Sequence, residues 1–173
     1  MKVAIASDHA GLSLKRQLAE LLEARGHEVK DFGTYSGESV DYPDFASQVA
    51  RAVGASEVER GVLVCGTGIG MSIVANKHRG VRAAVCTSEF ESRMARAHND
   101  ANVLCVGQRV VGPGLAQSIL EAFLDTAFEG GRHEKRVQKI RDAEVENDPS
   151  NSRDSPRAAE RVVRADLHPA DHR

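Results

Sequence analysis

The sequence predicts an α/β protein, a three-layer sandwich with a five-stranded parallel sheet between two layers of helices. Three observations predict it. Short β-branched runs alternate with longer helical stretches as far as about residue 145. The runs at 3–6, 62–65 and 81–86 are almost continuously apolar, as strands buried on both faces are. Hydrophobic residues make up 41% of the 173 residues, enough for one sizeable core.

The elements follow in order. Val3–Ala6 is the first strand. Leu14, Leu18, Leu21 and Leu22 then form an apolar stripe, with Lys15, Arg16, Glu20 and Glu23 outside it, and Gly26 stops this helix. His27–Phe32, Val62–Cys65, Val81–Cys86 and Asn102–Val106 read as the remaining strands. Asp44–Val53, Gly70–Lys77, Glu89–Ala97 and Gly114–Ala127 read as the helices between and after them, and His133–Val145 as a last one. The layering is Rossmann-like, so ligands are expected at the C-terminal ends of the strands.

Composition bounds the function. Lys plus Arg total 23 against 25 for Asp plus Glu, which gives no basic footprint for nucleic acid. The first apolar run is short and ends at Asp8, unlike a signal peptide or a membrane span. Three cysteines without a CxxC pair predict no disulfide framework and a reducing, cytoplasmic setting. The composition changes near the end: all seven aromatic residues lie at or before Phe128. From Asn147 the chain carries five acidic and five basic residues and few large apolar ones. Such a segment cannot offset its ordering entropy. Residues 1–146 are therefore expected to form the domain, and 147–173 a disordered tail with at most a short helix at 156–165.

The candidate chemistry lies beside the strands. Strand one ends in Ser7-Asp8-His9-Ala10-Gly11, where Asp8 reads equally as a ligand group or as the cap of the next helix. Strand three ends in Cys65-Gly66-Thr67-Gly68-Ile69-Gly70. Alternating glycines leading into a helix let backbone N–H groups converge on an anion. The spacing is not the dinucleotide fingerprint, because Met71 and Ile73 stand where a third glycine is required. It is not a P-loop, since no Lys-Ser/Thr pair closes it. Cys65, next to those N–H groups, is expected to hold a useful thiolate fraction. It lacks the arginine six residues on that a small phosphatase needs, that position being Met71. Cys86 and Cys105 read as packing residues.

His98-Asn99, after the fourth helix, is grouped with these strand-end residues, although a helix C-cap is the simpler reading of the pair alone. Arg132 and Arg136 share a helical face and suit a phosphate dianion, but from spacing alone a solvated face paired with Glu129 or Glu134 is simpler. The His and Cys positions lack zinc-ligand spacing, and no metal site is expected.

Together these segments resemble the ribose/galactose phosphate isomerase family, in its ribose-5-phosphate isomerase B branch. The match rests on Ser7-Asp8-His9-Ala10-Gly11 with Leu14-Lys15, Asp41-Tyr42-Pro43, Cys65-Gly66-Thr67-Gly68-Ile69-Gly70 with Ala75-Asn76-Lys77, His98-Asn99-Asp100, and Gly130-Gly131-Arg132-His133 with Arg136. It covers about residues 1–145. It implies a cofactor-free aldose–ketose isomerase interconverting ribose 5-phosphate and ribulose 5-phosphate through an enediolate. A hexose 6-phosphate of allose or galactose type, or a non-catalytic sugar-phosphate module, are the alternatives. Cys65 would be the base, and its presence with Met71 in place of a glutamate points to the thiolate branch. His98 would open the sugar ring, with Asp8 and Thr67 near the sugar oxygens. Gly66, Thr67, Gly68, Ile69 and Gly70 would line the anion hole, with Asn99 also binding there and Tyr42 among the substrate contacts. His9, Arg109, Arg132 and Arg136 would hold the phosphate. The resemblance further implies a homodimer, or a dimer of dimers, whose sites are shared, with the Arg132–Arg136 helix reaching across.

Overall fold

The computed structural model describes residues 1–146; the expected tail from Asn147, and the short helix within it, lie outside the described residues. Strands β1 (Lys2–Ser7), β2 (Glu28–Asp31), β3 (Arg60–Cys65), β4 (Ala83–Val85) and β5 (Val103–Gly107) form one sheet. Its order is β2-β1-β3-β5-β4, and every pairing is parallel. The helices are α1 (Leu12–Ala24), α2 (Tyr42–Gly54), α3 (Ile69–Ala75), α4 (Glu89–Asn99), α5 (Pro113–Asp125) and α6 (Arg132–Glu146).

Alternation along the strands divides the core. Val3, Ile5, Val62, Val64, Leu104 and Val106 point to one face, where Leu14, Leu18 and Leu22 of α1 meet Ile119, Leu120 and Phe123 of α5. Ala4, Ala6, Leu63, Cys65, Val103 and Cys105 point to the other, against Val49, Ala50 and Val53 of α2 and Met71 and Ala75 of α3. The second face uses small residues because α2 comes close. A Cβ at Gly61 would stand 2.7 Å from Val49 Cγ1, inside contact distance. These are the two helical layers expected of a sheet that reads as continuous apolar runs.

Boundaries moved where backbone partners differ from propensity. The fourth strand is three residues rather than six, and it starts late because the Arg82 N–H goes to the Asn102 side chain at 2.8 Å instead of a ladder partner. Helix α2 starts two residues early, with Pro43 in its first turn, where a missing N–H costs nothing. A 3-10 turn at His9–Gly11, unforeseen in the sequence, precedes α1. Gly26 does end α1, at φ +78, with the His27 N–H returning to Leu22 O at 3.0 Å.

Two compact units are present, Met1–Val137 and one that begins at Gln138. The buried residues of α6, His133 and Val137, belong to the first. In the second, Gln138 Nε2 donates to Asp142 Oδ1 at 3.0 Å.

Among the buried polar side chains of the described residues is a lysine. Lys15 on α1 is 1% exposed, and its Nζ donates to both oxygens of Asp31 (2.8 and 2.6 Å) and to Thr34 O (2.9 Å). This anchors the loop that follows β2, and that loop reaches the site.

Candidate active site

The C-terminal edge of the sheet gathers one set of groups. Asp8, just past β1, is buried, and its Oδ1 accepts the Gly11 N–H at 3.0 Å, so it caps the 3-10 turn. His9 follows. Its Nδ1 accepts the Val40 N–H at 3.2 Å, which leaves Nε2 to carry the proton in the neutral ring. Loop 32–41 thereby sets which nitrogen of His9 can donate to a ligand. Sequence reasoning missed Val40, because a backbone donor on an irregular loop leaves no residue signature.

Cys65 ends β3. Its Sγ accepts the Gly68 N–H at 3.1 Å. Gly68 adopts φ +79, and a Cβ there would stand 3.1 Å from the Val106 carbonyl carbon. Gly107 is as confined, since its Cβ would lie 2.6 Å from Thr67 backbone. The loop is thus pressed over the end of β5, and α3 starts directly from it. Thr67 Oγ1 accepts the Ile69 N–H at 3.3 Å, while the Gly70 and Met71 N–H groups belong to the first helical turn, which lacks intrahelical acceptors. The Tyr42 ring lies against Gly70, where a Cβ would come within 2.8 Å of Cε2. Arg109 stands on the other side. Its N–H donates to Gly66 O at 3.0 Å, and a Cβ at Gly66 would be 3.6 Å from its Cδ. Asp8, His9, Tyr42, Cys65, Gly66 to Gly70 and Arg109 therefore share one edge.

His98, Asn99, Arg132 and Arg136 do not join them, which corrects the grouping of His98-Asn99 with the strand-end residues. In parallel α/β alternation a helix runs antiparallel to the strands, so the C-terminus of α4 returns to the edge where strands begin. Arg82, just before β4, donates from Nε to Asn99 O (3.1 Å) and Asp100 O (3.0 Å). Asp100 takes φ +46 and accepts from Arg82 and Arg96, each at 2.8 Å. The loop after α5 ends here too, with the Glu129 N–H on Ala97 O at 3.0 Å. At about 3.3 Å per residue, the length of β3 puts about 17 Å between the two edges. One chain cannot bring His98 to its own Cys65.

At this second edge the rings of His98 and His133 stack, with centroids 4.1 Å apart and planes 2° from parallel. Glu129 Oε2 lies 3.7 Å from Nε2 of each. The three donors lie within 4.8 Å of one another, close enough to consider a metal. The parallel planes argue against one, because in-plane lone pairs then run side by side instead of converging. Arg132 Nε, moreover, already donates to His133 Nε2 at 3.2 Å.

Cys86 and Cys105 are both buried. Burial, with Glu91 adding to it, pushes the Cys86 thiol up to about 12. Burial raises Cys105 well above the usual thiol range. Both stay neutral packing groups, and all three cysteines are free.

Comparison with known proteins places this geometry. The model of the Ribose/Galactose Isomerase family matches residues 3–140. Ribose-5-phosphate isomerase B of Escherichia coli is 51% identical over 139 residues, 80% of this chain and 93% of that one. A putative sugar phosphate isomerase of Bacillus subtilis is 51% identical over 148 residues, covering 85% and 99%. The solved structure of ribose-5-phosphate isomerase B from Clostridium thermocellum superposes with a TM-score of 0.83 at 55% identity, covering 84% of this chain and 99% of that one. With sheet order, glycine loop and sequence in agreement, the chain belongs to the ribose/galactose isomerase family and is an isomerase enzyme.

Proposed function

We propose that the enzyme interconverts ribose 5-phosphate and ribulose 5-phosphate, with Cys65 as the base and with each site built from two chains. The observation that carries the mechanism is the buried Cys65 sulfur, 3.1 Å from the Gly68 N–H of the glycine loop. The thiolate takes the C2 proton of the open-chain aldose. The C–H electron pair becomes the C1=C2 bond, and O1 takes up the carbonyl charge. The thiol then returns the proton to C1, while the O2 proton passes to O1 and O2 becomes the ketone. Hydrogen moves within one molecule, so the balance needs no redox partner. Donors pre-aimed at the enediolate are typically worth about 3–4 kcal/mol each. The Gly70 and Met71 N–H groups stand ready for that role, with Asp8 and Thr67 beside the sugar oxygens.

The remaining groups come from a second copy. His98 of the partner subunit moves a proton between the ring oxygen and O1 to open the sugar, and Asn99 of the partner subunit binds the enediolate. His9 and Arg109 hold the phosphate with Arg132 and Arg136 of the partner subunit. Clamping the phosphate away from the reacting carbons orients the chain without crowding them. Apolar side chains suited to an interface flank the loop: Ile69 is 55% exposed and Ile73 56%. No helix among the described residues is long and apolar enough to cross a membrane. A reduced Cys65 suits a reducing, cytoplasmic setting.

The test is turnover of ribose 5-phosphate by the wild type and by Cys65→Ala. The wild type should isomerise it, and Cys65→Ala should lose at least about 1,000-fold in kcat while still binding substrate. Undiminished turnover in the variant removes the base assignment. A wild type active only on a hexose 6-phosphate moves the substrate.

A further inference from the structure

We propose that His133 is a positioning residue that locks the ring-opening His98 and the phosphate-binding Arg132 into one rigid block. The inference rests on the roles given above to His98 and Arg132. It starts from a buried titratable group those roles leave unused. His133 is the second residue of a strongly polar helix, yet it is only 4% exposed. A buried imidazole that merely filled space would be better replaced by a leucine or phenylalanine, since burying its polar edge costs free energy unless it is hydrogen-bonded.

The ring makes two contacts of different kinds. Its face lies on His98, 4.1 Å away and parallel within 2°, which restricts the His98 imidazole to one plane. Its Nε2 accepts the Arg132 Nε–H at 3.2 Å. That bond requires an unprotonated Nε2, with the ring hydrogen on Nδ1. Burial, with His98, Arg132 and Arg136 nearby, lowers the proton affinity of His133 against the opposing pull of Glu129. The neutral form is therefore the one present at neutral pH. With Nε engaged, the guanidinium plane of Arg132 is fixed and its two terminal nitrogens remain for a bidentate oxyanion. The Glu129 carboxylate lies 3.7 Å from Nε2 of both rings, beyond hydrogen-bond distance. One buried ring thus sets the plane of the proton-transfer group and that of the phosphate fork.

Two variants separate the contacts. His133→Phe keeps a flat ring against His98 but has no acceptor for Arg132. The KM for ribose 5-phosphate and the Kd for inorganic phosphate, measured by calorimetry, should each rise about 10-fold, with kcat within about 3-fold. His133→Ala also removes the platform. Its kcat on ribose 5-phosphate should fall a further 10-fold or so. Exchange of the C1 hydrogen of ribulose 5-phosphate with deuterium oxide at saturation should change by less than about 3-fold. Ribulose 5-phosphate cannot cyclise, since its phosphate occupies O5, so that exchange reports proton abstraction without ring opening. A merely structural role would depress isomerisation and exchange alike, and that uniform loss overturns the proposal. So does an unchanged phosphate affinity in His133→Phe. If the wild type proves inactive on ribose 5-phosphate, it is the reading of the substrate that fails. The phosphate arm still decides whether His133 governs Arg132.

Discussion

Mixing two dead enzymes should make a live one. On the proposed mechanism, Cys65→Ala disables the C-terminal edge of the sheet and His98→Asn the N-terminal edge. The edges stand about 17 Å apart across β3 and its neighbours, so no chain pairs its own two groups. In a heterodimer of the variants, one site combines both lesions. The other combines an intact Cys65 from one chain with an intact His98 from its partner. A heterodimer purified through two different tags should show about half the wild-type kcat on ribose 5-phosphate, one site of two. An unsorted, randomly paired mixture should show about a quarter, because half the dimers are mixed. Each parent homodimer carries the same lesion in both sites and stays inactive. The assay is ribulose 5-phosphate formation by the tandem-purified heterodimer, compared with both parents carried through the same procedure. Activity no greater than the mean of the parents would refute the shared site, because residues within one chain could not then complement.

Two further predictions test the scaffold and the thiols. Asp31→Ala should cost about 3–5 kcal/mol in urea unfolding and Lys15→Met roughly half as much. The first variant strands a cation that is 1% exposed, whereas the second strands a carboxylate that is 32% exposed and still accepts the Gly33 N–H; the opposite order would refute the argument. Iodoacetamide at pH 7.5 should label Cys65, with protection by ribose 5-phosphate. Cys86, held at about 12 by burial, and Cys105 should stay unlabelled in the folded protein, as peptide mass spectrometry would show.

Much of the fold follows from local rules that the sequence displays openly. The leucine stripe of α1 and Gly26 behind it gave that helix and its end, since a 3.6-residue period and a left-handed stop are written in neighbouring residues. The short β4 could not be seen in the same way. Its start is set by the Asn102 side chain taking the Arg82 N–H, a contact across 20 residues. At the site, the glycine loop was legible from its spacing, and the structure finds Gly68 and Gly107 confined by the chain's own backbone where the loop crosses the end of β5. The His9–Val40 bond and the stacked His133 were not, because each depends on where a distant loop or helix start lands.

The misplaced pair is the more instructive, because its position was available from topology. Cys65, the last residue of β3, stands at the edge where parallel strands end. His98, five positions before β5, must stand at the edge where they begin, since the intervening helix has carried the chain back. Closeness to a strand in sequence hides this difference. Cys65 and His98 are both near strand termini, and β3 and β5 are neighbours in the sheet, yet the two side chains face opposite ends of it. A proton-transfer site that needs both groups is therefore a property of two chains. The two core clusters are filled by each chain's own residues. On the proposed mechanism the sheet and its two helical layers hold each half of the machinery, and association of two chains brings the thiol and the imidazole onto one sugar.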